Sequence, residues 1–148
     1  MRIRSTSGMT LMELLLVVVI IGIVTAAILP RIARSREAAT AKSVASVVGN
    51  DVETAFSAAA RSRRPMLFRC DCPNHKYEVA DQTDGSIRLA RRLDSTTNLS
   101  VDRLTFSSTS VTIGPNGIAS EAFEVNVGVG ASARRITVSR TGQVRIVQ

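Results

Sequence analysis

The sequence predicts an α+β protein: a long N-terminal α-helix, its first half suited to a membrane and its second half amphipathic, packed on an antiparallel, sandwich-like β head. Three observations lead there. An apolar run fills the chain between Gly8 and Pro30. Behind it, aliphatic residues recur at three- and four-residue steps to about Ala60. After Pro65 the pattern becomes short alternating runs broken by turn residues.

Residues 1–8 form a short basic leader carrying Arg2 and Arg4. Residues 9–30 are the membrane segment. Met9 to Leu29 is 21 residues with one charge, Glu13, and at about 1.5 Å per residue such a helix reaches roughly 30 Å, the thickness of a hydrocarbon core. A carboxylate near the edge of a lipid-embedded helix costs a few kcal/mol, so Glu13 needs a partner. Cleavage after Gly8 would supply one: the α-amino group of Met9, about one helical turn away or offered by a neighbouring subunit. Charge does not orient the segment, because Arg2 and Arg4 precede it while Arg31, Arg34 and Arg36 follow.

Residues 31–60 continue as an amphipathic helix. Ile32, Ala39, Val44, Val47, Val48, Val52, Ala55, Phe56 and Ala59 mark its apolar stripe. Pro30 removes one backbone hydrogen bond without ending the rod, and Gly49-Asn50 is a softer spot.

Residues 61–148 make the β head. Strands are expected near 66–69, 76–80, 86–93, 99–107, 110–113, 122–129, 134–139 and 143–147, with turns at Asp84-Gly85, Gly114-Pro115-Asn116-Gly117 and Gly128-Val129-Gly130. Phe123, Val125, Val127 and Val129 alternate with Glu124, Asn126 and Gly128, the signature of an antiparallel strand with one wet face. Aromatic residues are 3% of the chain, so a core mostly of Val, Ile and Leu is expected. The C-terminal stretch specifies most. A three-residue loop Arg140-Thr141-Gly142, with Gly142 left-handed, pairs Ser139 with Gln143, Val138 with Val144 and Ile136 with Ile146. The aliphatic residues then share one face, and Arg135, Thr137, Arg145 and Val147 the other, with Arg140 at the tip.

At 148 residues, with one compact head beyond Pro30, the chain can build its own core. Its formal net charge is +7, and loss of Arg2 and Arg4 would leave +5. Of the 19 basic residues only Lys42 and Lys76 are lysine.

The leader, Gly8, and the run Met9-Thr10-Leu11-Met12-Glu13-Leu14 opening a long aliphatic helix with Pro30 near its end resemble the class III signal of type IV pilins and type II secretion pseudopilins. Met9 stands where that family usually carries phenylalanine. The resemblance implies cleavage between Gly8 and Met9 by a prepilin peptidase and methylation of the Met9 amine. It also implies N-in insertion in a bacterial inner membrane, with the head in the periplasm or on an extracytoplasmic filament. Other pilins or pseudopilins are the implied partners, packed helix on helix with Glu13 paired to an N-terminus. The Arg134 to Ile146 run is similar to the C-terminal end of H-type pseudopilins and FimT-like minor pilins, whose heads are β-sandwiches. The acidic calcium-binding C-terminal loop of major pseudopilins has no counterpart, which points to a minor subunit. A secretion system and a pilus both remain open, since both use this helix and peptidase.

In some FimT-like proteins a Gly-Arg-x-Arg tail is linked to DNA binding. The matching positions here read Gly142-Gln143-Val144-Arg145, so only Arg145 carries over. Arg135, Arg140 and Arg145 on one hairpin are candidate phosphate contacts; the weightier reading is a solvated hairpin face whose arginines keep a strand edge soluble, as no aromatic stacking platform accompanies them.

Cys70-Asp71-Cys72-Pro73-Asn74-His75 offers two thiols and the only histidine, but the spacing does not match structural zinc and a fourth ligand is lacking, so no metal is expected. Cys70 and Cys72 are either thiols in a turn or a local disulfide. Gly128-Val129-Gly130-Ala131-Ser132-Ala133 mimics a dinucleotide loop, but a strand follows it, not a helix. No nucleophile stands beside a base, so neither an enzyme nor a cofactor is expected.

Overall fold

The computed structural model describes residues 10–147, and the chain falls into two compact units, residues 1–35 and 36–148. One α-helix, α1, runs from Leu11 to Ser62 with Pro30 inside it. In the first unit its apolar side chains stand exposed from Leu11 to Ile32. This stretch is long and apolar enough to cross a membrane, and none of it is buried.

Within the second unit the helix buries Ala41, Val44, Ala45, Val48, Gly49, Asp51, Val52, Ala55 and Ala59, a stripe at three- and four-residue steps. The expected stripe is rotated at two places. Ala39 is exposed and Val47 only half-buried, while Ala41 and Ala45 take the inner positions. Small residues let backbones approach closely, and Gly49 shows the effect: a Cβ there would lie 3.3 Å from Val144 Cγ1 and 3.9 Å from Ile146 Cδ1. The glycine is therefore a packing residue where the helix meets the last strand.

Eight strands follow: β1 Met66–Asp71, β2 Lys76–Asp81, β3 Ile87–Arg92, β4 Arg103–Phe106, β5 Ser110–Ile113, β6 Phe123–Val129, β7 Ser132–Val138 and β8 Val144–Val147. They form two antiparallel four-stranded sheets, in the orders β3-β2-β1-β5 and β4-β6-β7-β8. All eight expected strands are present, with one marked difference in length. The strand expected from Leu99 begins only at Arg103, because the Asp94 side chain accepts hydrogen bonds from the Thr96 backbone N–H and hydroxyl, and the Asp94 carbonyl accepts one from Thr97 N–H at 3.1 Å. That turn holds the chain as a loop until Val101 donates to the Leu93 carbonyl at 2.9 Å.

The sheets meet through aromatic side chains. Phe68 of β1 stacks on Phe106 of β4 with ring centres 5.3 Å apart and on Tyr77 of β2 at 5.4 Å, and lies 5.8 Å from Phe123 of β6. Tyr77, Phe68 and Phe123 are the largest fully buried side chains, each contributing roughly 1.5–3 kcal/mol by burial. Val, Ile and Leu make up most of the buried apolar core, as expected from composition, but four of the five aromatics gather at one place within it. Composition counts residues and is blind to where they converge.

The C-terminal hairpin has the expected register. Ile136 pairs with Ile146 and Val138 with Val144. Ser139 N–H donates to the Gln143 carbonyl and Gly142 N–H to the Ser139 carbonyl, both at 3.0 Å. Gly142 has φ +82°, a conformation that side-chain-bearing residues rarely adopt.

Candidate assembly and binding surfaces

At the start of α1, Thr10 is the N-cap. Its hydroxyl accepts from Glu13 N–H at 3.3 Å, and its carbonyl accepts from Glu13 and Leu14 N–H at 3.1 Å. Thr10-Leu11-Met12-Glu13 therefore has capping-box spacing, with Glu13 in the first turn, where a carboxylate is favoured by the helix dipole. Threonine and glutamate have this local role whatever else they meet. Gly8 and Met9 lie outside the described residues.

The second surface is the outward face of the β4-β6-β7-β8 sheet. Register fixes its members: Arg103 stands opposite Gly128, Asn126 opposite Arg135, and Thr137 opposite Arg145. Arg135, Arg140 and Arg145 are exposed, as is Arg103, which the sequence reading passed over. Arg103 lies across Gly128, where a Cβ would come within 3.2 Å of its Nε. The arginines are not equivalent. Arg135 Nε sits 3.9 Å from Glu124 Oε2, and Arg140 donates from Nε to the Ala119 carbonyl at 3.3 Å. Arg140 thus helps fasten the hairpin tip to the loop before β6.

Cys70 and Cys72 are joined by a disulfide at the junction of β1 with the short 3₁₀ turn Cys72–Asn74. Among the described residues no three His, Cys, Asp or Glu side chains converge as a metal would require.

Three buried acids escaped the sequence reading. Asp51 stands on the apolar stripe of α1 and accepts from the Tyr77 hydroxyl at 2.5 Å and from Arg91 Nε and Nη2 at 2.9 Å each. Burial, and then the hydrogen bond to Asp51, push the Tyr77 hydroxyl far above its ordinary range; the Asp51 hydrogen bond likewise raises Arg91. Helix and first sheet are locked by a fork of charge-assisted bonds. Asp81, fully buried, accepts from Thr83 N–H at 2.9 Å and pairs with Arg64 and Arg88 at 3.4 Å each. The Thr83 amide, and next Arg88, hold its carboxyl below the usual range. Glu78 pairs with Arg69 and with Lys76. A signal for Asp51 exists in the sequence: it is a charge at a core-facing helical position, three residues after Val48.

Against this geometry, residues 44–142, more than half of the chain, match the family described as type II transport protein GspH. The chain belongs to the GspH family. Two solved structures share its fold. The type IV minor pilin FimU of Pseudomonas aeruginosa is 13% identical, with a TM-score of 0.58 over 73% of this chain and 88% of that one. The minor pseudopilin EpsH of the Vibrio cholerae type 2 secretion system is 17% identical, with a TM-score of 0.55 over 72% of this chain and 95% of that one. Among curated proteins, none matches the sequence. Membership in the GspH family fits a structural, membrane-anchored subunit with an exposed apolar N-terminal helix.

Proposed function

We propose that this GspH-family chain is a minor pilin or pseudopilin, made as a precursor, cleaved between Gly8 and Met9 by a prepilin peptidase and methylated on the Met9 amine. The apolar helix holds it in the bacterial inner membrane, N-terminus in and head on the periplasmic side, until other pilins or pseudopilins draw it into a filament. The observation that carries this reading is the helix itself. One end of α1 is buried in the head's core, while from Leu11 to Ile32 its aliphatic side chains have no cover. Apolar surface of that extent is stable only in lipid or against other apolar helices. Glu13, capped by Thr10 at the lipid edge, then meets the ammonium of its own or a neighbouring N-terminus.

An intact mass of the protein from membranes of cells that contain a prepilin peptidase tests it. The expected mass is that of residues 9–148 plus one methyl group, and a full-length mass overturns the reading.

A second reading, nucleic-acid capture, is favoured by one observation: Arg103, Arg135 and Arg145 share the outer sheet face with one acid, Glu124. On this reading the R103A/R135A/R145A variant loses any gel shift of duplex DNA, and binding that persists unchanged removes the surface from consideration. A true phosphate contact also weakens steeply with salt.

A further inference from the structure

The Cys70–Cys72 bridge spans a sequence separation of only two, and these are the only cysteines in the chain. A cross-link stabilises a fold chiefly by restricting the unfolded chain, and the restriction grows with the loop it closes. With one residue enclosed, it is near its minimum. The two equilibria are linked: the bridge stabilises folding by the same free energy by which folding stabilises the bridge. A bridge that adds little to the fold is therefore one the fold protects little.

The surroundings agree. The turn is closed without the sulfurs, since Asn74 Nδ2 donates to both Asp71 carboxylate oxygens at 3.0 and 2.9 Å and His75 N–H donates to the Cys72 carbonyl at 3.1 Å. β1 is paired on both sides, to β2 along its whole length and to β5 from Met66 to Arg69. Neither cysteine is fully buried, and Cys70 borders an open hollow of about 300 Å³ that Arg69, Lys76 and Glu78 also line.

We propose that Cys70–Cys72 is a thiol-exchange site on the head whose substrates are thiolates, and not a structural staple. An incoming thiolate attacks Sγ of Cys70, forming a mixed disulfide. The Cys70–Cys72 bond breaks, its electron pair remains on Sγ of Cys72, and that thiolate takes a proton from water. A second thiolate attacks the incoming sulfur of the mixed disulfide and releases Cys70 as a thiolate. Two thiols are then oxidised to one disulfide, and the bridge is reduced by two electrons. The head remains folded throughout, and the reverse exchange, with a disulfide of the same class as oxidant, re-forms the Cys70–Cys72 bond and releases two thiols, so the site can cycle.

The test is a titration of the full-length protein in detergent with reduced and oxidised glutathione, quenched by alkylation and read by mass, beside a peptide of residues 68–76. The expected equilibrium constant for reduction agrees between protein and peptide within about tenfold. The fully reduced, alkylated-free protein should melt within a few degrees of the oxidised form, as should the C70S/C72S variant, which fixes the zero of the mass readout. Resistance to reduction more than about tenfold beyond the peptide, or a large drop in melting temperature on reduction, would make the bridge a staple and overturn the proposal.

Discussion

Asp51 shows how one residue can tie two elements together. It lies among Val44, Val48, Val52 and Ala55 on the helix, and its two oxygens are used by Tyr77 and by the Arg91 guanidinium. Asp51→Ala would leave the Tyr77 hydroxyl buried without its acceptor and Arg91, about a third exposed, free to turn toward water. The expected cost is about 1–3 kcal/mol, reduced from the full buried-pair value by that exposure. Asp51→Asn keeps an acceptor for the hydroxyl and should lose less. Denaturant unfolding of both variants checks the order, and equal losses would mean that a neutral acceptor contributes nothing and that the charge on Asp51 carries the whole effect. The sequence carried the clue, a carboxylate on an apolar stripe, but not the partners: Tyr77 and Arg91 lie 26 and 40 residues away.

Among the elements, the β7–β8 hairpin was the most legible and the β4 region the least. The hairpin is local: its register follows from loop length, alternation and one left-handed glycine. Gly142 is held twice, since its φ of +82° disfavours any side chain and a Cβ there would lie 2.9 Å from Phe56 Cδ1 on the helix. Gly142→Ala should therefore cost about 1–3 kcal/mol, in contrast to the small gain such a change gives at permissive sites. A melting temperature at or above the parent's would show that the tip can shift away from Phe56. In the region before β4, Leu99 and Val101 look strand-like, yet Asp94 and its threonines hold the chain in a turn. Val101 is buried all the same, as part of the core without being part of the ladder. Burial and strand pairing are separate facts, and alternating hydrophobicity reports only the first.

Across the whole molecule, the head's acids prescribe its response to acid. Asp81 is held low by the Thr83 amide and Arg88, Asp84 by Ser86, and Asp94 by Thr96 and Arg92. Each depressed value means the folded state binds the proton more weakly than the unfolded chain does. The stabilisation is fully present above the ordinary aspartate value of about 3.9 and is lost as the pH falls from there through the folded values. Melting temperature should thus be insensitive to these groups near neutrality and decline below about pH 4; no decline down to pH 2 would mean that the three carboxylates are not engaged in solution.

By itself the sequence determined what depends on neighbours along the chain. The apolar helix with its lone Glu13, the amphipathic continuation, the eight strands and the C-terminal register all follow from periods of 3.6 and 2 and from turn chemistry. Tertiary structure alone decided what depends on residues far apart. It sent β5 to pair with β1 while β4 joined β6 in the other sheet, brought Phe68, Phe106 and Phe123 into one cluster, set Gly49 against Val144, and gave Asp51 its tyrosine and arginine. The physical reason is that backbone preferences act over a few residues, whereas close packing and the pairing of buried charge are settled only when distant segments compete for the same space.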